Sequence, residues 1–135
     1  MYTGYFARLN NYRLAGLIPV AICGVSPEWY DDNKYTKLAP KKDFFLEWKY
    51  GSHKGDNEYY INNFIDKVLN KLDCKSVVDD LTRFGDINKI VLLCYETPKE
   101  FCHRHLVAKW FSDNGIPCSE YVQPDETSNI LFYLL

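Results

Sequence analysis

The sequence predicts an α/β protein, a mainly parallel sheet flanked by helices within one domain. Three observations lead there. Ile90-Val91-Leu92-Leu93 is an unbroken apolar run, short and β-branched enough for a strand buried on both faces, as in a parallel sheet. Directly behind it, from Glu100 to Gly115, apolar residues recur at helical spacing, so the strand leads through a short loop into a helix. A second helical pattern, Tyr60, Ile61, Phe64, Ile65, Val68, Leu69 and Leu72, repeats at three and four.

In chain order, Tyr2 to Leu9 reads as a first strand, closed by a turn at Asn10-Asn11. Leu17 to Cys23 is a second apolar run that Gly24 ends; Pro19 removes a ladder donor, so this strand lies at an edge or begins near the proline. Val25 to Pro40 has no sustained periodicity and reads as a long loop with Trp29, Tyr30 and Tyr35 in it. Loops of that length usually build or cover a site. Asp43 to Tyr50 forms a short helix through Phe44, Phe45 and Trp48, and Gly51 to Asn57 is a polar surface segment. The Tyr60–Leu72 helix follows. Asp73 caps a further helix from about Lys75 to Arg83, with Val77, Val78 and Leu81 inward. After the Ile90 strand and its helix, Ile116 to Val122 returns as a strand, and Ile130 to Leu135 forms a short edge strand or a packed tail. The predicted order is β-β-α-α-α-β-α-β.

Composition narrows the function. A chain of 135 residues with a formal charge of −2 and a pI near 5.9 lacks a basic footprint for duplex nucleic acid. No apolar stretch approaches the roughly 20 residues that cross a bilayer, and the N-terminus lacks a basic-then-apolar signal pattern. A cytoplasmic protein with no membrane partner is expected. The five cysteines are an odd, scattered set, read as thiols rather than a disulfide framework. Oligomeric state is not legible.

The βα junction is where an open α/β sheet places ligands, because the crevice lies beyond the strand ends and the helix N-terminus directs free N–H groups at it. Cys102-His103-Arg104 opens this helix. At about 100° per residue, Leu106, Val107, Trp110 and Phe111 centre an apolar face with His103 near its middle. The same projection assigns His103 to the sheet edge, and His105 with Lys109 to solvent.

Leu93-Cys94-Tyr95-Glu96 followed by Cys102-His103-Arg104 resembles the signature of the DUF488 family. Tyr-Phe-Ala-x-Leu at Tyr5 to Leu9, Ser-Pro-x-Trp-Tyr at Ser26 to Tyr30 and Tyr-x-x-Leu-Ala-Pro at Tyr35 to Pro40 are similar to one branch of it. The resemblance implies a Rossmann-like sheet and brings no established reaction.

Function is therefore read from the junction. The first reading is a binder of an anionic nucleotide or nucleoside-type molecule, with Arg104 as anion clamp and Trp29, Tyr30 and Tyr35 as stacking residues. Glu96 is then a general base and His103 an orienting group or proton donor, for hydrolysis or transfer without a cofactor. The second makes Cys102 a nucleophile or redox thiol, activated by the helix N-terminus, His103 and Arg104. The spacing fits neither Cys, five residues, Arg nor Cys-x-x-Cys. The third is zinc on Cys94, Cys102, His103 and Glu96, for which the spacing is a weak signature; no metal is assigned from it. The fourth is a non-catalytic sequestering or interaction protein.

Overall fold

The computed structural model describes residues 1–123. Their architecture is α/β and Rossmann-like, with five parallel strands in the order β3-β2-β4-β1-β5. The strands are β1 (Tyr2–Tyr5), β2 (Ile18–Ala21), β3 (Asn33–Lys34), β4 (Ile90–Cys94) and β5 (Ser119–Glu120). The helices are α1 (Leu9–Leu14), α2 (Lys42–Lys49), α3 (Asn57–Lys67), α4 (Cys74–Thr82) and α5 (His103–Asp113). Among the described residues, no helix is long and apolar enough to cross a membrane.

β4 lies at the centre and is buried along its whole length, which is why its sequence shows no polar alternation. Its residues still divide by face. Ile90 and Leu92 join Val20 and Ile22 under the helical layer of Phe44, Phe64, Leu81 and Phe111. Val91 and Leu93 face Phe6, Leu9, Tyr12 and Tyr30.

The predicted strand over Tyr2 to Leu9 is half strand. After Tyr5 the chain turns through a 3₁₀ segment, Phe6–Arg8, into α1, a helix that Asn10-Asn11 had disguised as a turn. Its six residues bury Leu9 and Tyr12, so tertiary packing overrides weak local propensity. Tyr12 Oη accepts the Tyr5 N–H at 3.1 Å, and this contact explains Gly4. A Cβ there would stand 2.5 Å from Tyr12 Oη and 2.6 Å from Cζ, and the tyrosine, 1% exposed, has nowhere to move. Gly4→Ala is expected to lower stability by about 1–3 kcal/mol, read as a lower urea midpoint at unchanged slope.

Pro19 sits second in β2, and β2 is an interior strand between β3 and β4. The proline is accommodated because the strand begins beside it. The long loop contains β3 and a 3₁₀ turn, Thr36–Leu38. The amphipathic segment over Tyr60–Leu72 begins at Asn57, capped by Asp56, and breaks at Val68 into a 3₁₀ turn, Leu69–Lys71. Asp73 caps α4 by accepting the Ser76 N–H. The return strand is only β5, and the Ile130 to Leu135 run lies outside the described residues.

Candidate functional site

Three segments meet at the carboxyl end of β4. The strand itself delivers Cys94, followed by Tyr95 and Glu96. The end of β2 delivers Ile22 and Cys23, held in place because the Ile22 N–H donates to the Leu93 carbonyl at 3.1 Å. Cys102, extended at the N-cap of α5, and His103, its first helical residue, come from the far side. Tyr95 Oη donates to the Val25 carbonyl at 2.5 Å and ties the loop after β2 to the loop after β4.

The histidine is fixed from behind. His103 Nε2 is 2.8 Å from the Ile22 carbonyl oxygen, which only accepts, so Nε2 carries a proton. Nδ1 is thereby turned to the sulfurs, 3.6 Å from Cys94 Sγ and 3.9 Å from Cys102 Sγ. Cys94 Sγ–H donates to Glu96 Oε2 at 3.3 Å. Cys94, Cys102 and His103 are all buried, and the Phe64 ring lies 5.4 Å from the imidazole.

The two cysteines are pushed apart in acidity. For Cys102 burial opposes ionisation, yet the neighbouring Cys94, His103 and Arg104 amide outweigh it and bring the thiol well below its ordinary value. Cys94 moves the other way: its bond to Cys102, burial and the negative charge of Cys102 and Glu96 hold its proton on. Burial, then the Cys102 charge, raise Glu96. A thiol of lowered pKa, a thiol of raised pKa and a carboxyl of raised pKa share the site, a separation of roles typical of acid–base and nucleophilic centres.

These groups form the floor of a cavity of about 780 Å³, the size of a small-molecule site. Phe45, Trp48, Tyr60 and Phe101 wall it, and Lys42 and Lys49 border it. The wall is one packed aromatic cluster, with ring centroids 5.0 Å apart for Trp48–Tyr60, 5.5 Å for Trp48–Phe101 and 5.0 Å for Tyr60–Phe101.

Of the residues singled out from the sequence, Glu96, Cys102 and His103 line this cavity. Arg104, expected as the anion clamp, is not among the residues that line it. Its side chain is fully buried behind the floor, paired with Glu120 through Nε at 3.0 Å and Nη2 at 3.1 Å, and Nη1 donates to the Glu96 carbonyl at 2.6 Å. It positions the Glu96 loop and β5 instead. Trp29, Tyr30 and Tyr35, expected as stacking residues, are not among its lining residues either. Trp29 is 58% exposed and edges onto Phe6, and Tyr30 is buried with its hydroxyl on the Asn33 carbonyl. Tyr35 donates to Asp80 on α4. His105, assigned to solvent, is half-buried, and its Nε2 is buried without a hydrogen-bond partner among the described residues.

The sequence reading missed the cavity's walls and its basic border. A signal was present in α2, where Lys42, Phe45, Trp48 and Lys49 recur at three and four and so share one helical face. Glu120 carried none, because only the folded sheet brings β5 beside Arg104.

The family model described as the active DUF488-N3 subclade, DUF488-N3a, matches residues 12–115, well over half of the 135. The chain belongs to the DUF488 family. The match runs from α1 through the end of α5, so every cavity residue named above falls within the DUF488 region, whereas Glu120 and the Tyr5 to Leu9 stretch lie outside it. No curated protein and no solved structure matches the chain.

Proposed function

We propose that the cavity binds an anionic, aromatic small molecule of nucleotide or nucleoside type and that its floor performs hydrolysis or group transfer on it. The observation that carries this reading is the convergence of Cys102, His103 and Glu96 beneath an aromatic wall bordered by two lysines. Lys42 and Lys49 take the anion-binding role first given to Arg104, and Phe45, Trp48 and Phe101 take the stacking role first given to the Trp29–Tyr35 loop. The description of the matched subclade as active agrees with a reaction rather than sequestration.

The chemistry follows from the split acidities. In the metal-free site the Cys102 thiolate attacks an electrophilic carbon of the ligand, the sulfur–carbon bond forms, and the leaving group departs with the proton of Glu96. Water, giving a proton back to Glu96, then attacks the same carbon and releases the thiolate. His103, anchored on Ile22, aims its Nδ1 at the sulfur throughout.

Calorimetric titration with a panel of nucleoside 5′-monophosphates tests the binding half. A Lys42→Ala/Lys49→Ala variant should lose about tenfold or more in affinity, roughly 1.4 kcal/mol, while Glu96→Gln should bind as the wild type does and lose turnover. Equal affinities in wild type and the double-lysine variant, or no binding by any nucleotide, would remove the reading.

A further inference from the structure

We propose that Cys94, Cys102 and His103 form a binding site for a zinc-class divalent ion at the floor of the cavity. The spacing in the chain argues little, with seven residues between the cysteines and no Cys-x-x-Cys. The folded geometry argues more. Cys94 Sγ, Cys102 Sγ and His103 Nδ1 all lie within 4.8 Å of one another, and the two sulfur–nitrogen separations are 3.6 and 3.9 Å. A tetrahedral zinc with bonds of about 2.3 Å to sulfur and about 2.05 Å to nitrogen has sulfur–nitrogen edges of about 3.6 Å. Two of the three edges of one coordination face therefore stand near the required length, and the sulfur–sulfur edge is no longer than 4.8 Å.

The fourth corner is open. Glu96 Oε2 stands 3.3 Å from Cys94 Sγ, but Glu96 is not among the residues whose ligand atoms all lie within 4.8 Å of one another, so that position is left to water or ligand. The support expected behind a metal-binding histidine is also present, because His103 Nε2–H donates to the Ile22 carbonyl at 2.8 Å and fixes both tautomer and ring plane. Two thiolates with an imidazole select zinc over calcium or magnesium, and their two negative charges balance a divalent ion. Binding displaces the Cys94 proton and any proton on Cys102.

This site stands on its own geometry and goes beyond the proposed small-molecule reaction. It also sets a condition on that reaction, since occupancy makes Cys102 a ligand and leaves the attacking role to a water at the open corner, with Glu96 beside it.

The test uses the full chain, stripped with a chelator under reducing conditions and titrated with Co²⁺, then with Zn²⁺ in competition. The expected result is one ion per chain, with thiolate-to-cobalt charge transfer and the visible bands of tetrahedral coordination, both bleached by Zn²⁺. Cys94→Ser and Cys102→Ser should each abolish this signature, while Cys74→Ser and Cys118→Ser retain it; circular dichroism verifies that each variant is folded. Absence of the signature in folded wild type, or its persistence in folded Cys94→Ser, would overturn the proposal. Nucleotide calorimetry on the stripped chain separates the two claims. Nucleotide binding without the cobalt signature refutes only the metal site, and a cobalt signature without nucleotide binding upholds it while refuting the nucleotide reading.

Discussion

Glu120→Ala is expected to destabilise the protein by about 3–5 kcal/mol, read as a lower urea midpoint. Its partner Arg104 has no exposed side-chain surface and sits between two acceptors, the Glu120 carboxylate in bidentate geometry and the Glu96 carbonyl. Thr3 Oγ1 adds a hydrogen bond to Glu120 Oε1 at 2.7 Å, and the guanidinium lies 5.8 Å from the Tyr5 ring centroid. Removing the carboxylate leaves a buried cation with one acceptor, and the penalty is its uncompensated desolvation rather than the loss of a favourable pair. The sharper form of the prediction is the rescue. Replacing both partners by apolar residues, Arg104→Met with Glu120→Leu, should recover most of the loss, because no charge is then left buried. A loss in Glu120→Ala under about 1 kcal/mol would place the pair among surface-like ion pairs and contradict the positioning role assigned to Arg104. The double variant should nonetheless be impaired in function, because Arg104 Nη1 no longer holds the Glu96 loop.

The second large effect concerns Cys102. In metal-free protein, its alkylation by iodoacetamide should stay nearly flat from about pH 8 down to about pH 5, the behaviour of a thiol whose pKa the neighbouring Cys94, His103 and Arg104 amide have depressed. The direction is set by the lowered acidity of Cys102: the thiolate persists as pH falls and is lost only on passing through the folded pKa. Between that value and the ordinary thiol value near about 8.5, the unfolded chain binds a proton that the folded Cys102 does not, so this group makes stability rise with pH across the window. Cys102→Ser should remove both the labelling and, by about a thousandfold or more, any turnover that depends on it. His103→Gln should restore an ordinary thiol pH profile without unfolding the chain. A rate that climbs steeply through pH 8 to 9 in the wild type would mean that Cys102 is an inert buried thiol. Bound Zn²⁺ should protect Cys102 from the same reagent.

Much of the fold is legible in the sequence because its strongest signals are periodic. The β4 run, the α5 face and the Asp73 cap of α4 each express a local rule that folding leaves intact. The first segment is different. Gly4 and Tyr12 make sense only together, and no local pattern announces that a six-residue helix packs its tyrosine against a strand glycine. The site divides in the same way. Glu96, Cys102 and His103 are adjacent to a βα junction that sequence locates, whereas Arg104 looks like a ligand-binding cation until β5 brings Glu120 against it. The length of the Val25 to Pro40 loop and its Trp29, Tyr30 and Tyr35 point to a site it builds or covers. Tyr30 and Tyr35 instead spend their hydroxyls on Asn33 and Asp80, while the cavity draws its rings from α2, α3 and the loop between β4 and α5. Cys94 was read as a core residue or a weak ligand, and only the folded distance to His103 Nδ1 shows that it shares the site.

The most direct test of the central claim is native mass spectrometry of the full chain titrated with nucleoside 5′-monophosphates, wild type beside Lys42→Glu/Lys49→Glu. The account predicts a one-to-one complex that survives gentle ionisation in the wild type, is lost in the lysine variant, and disappears on denaturation. A wild-type spectrum that shows only the bare chain at every nucleotide concentration, or complexes equally abundant in both proteins, would contradict it.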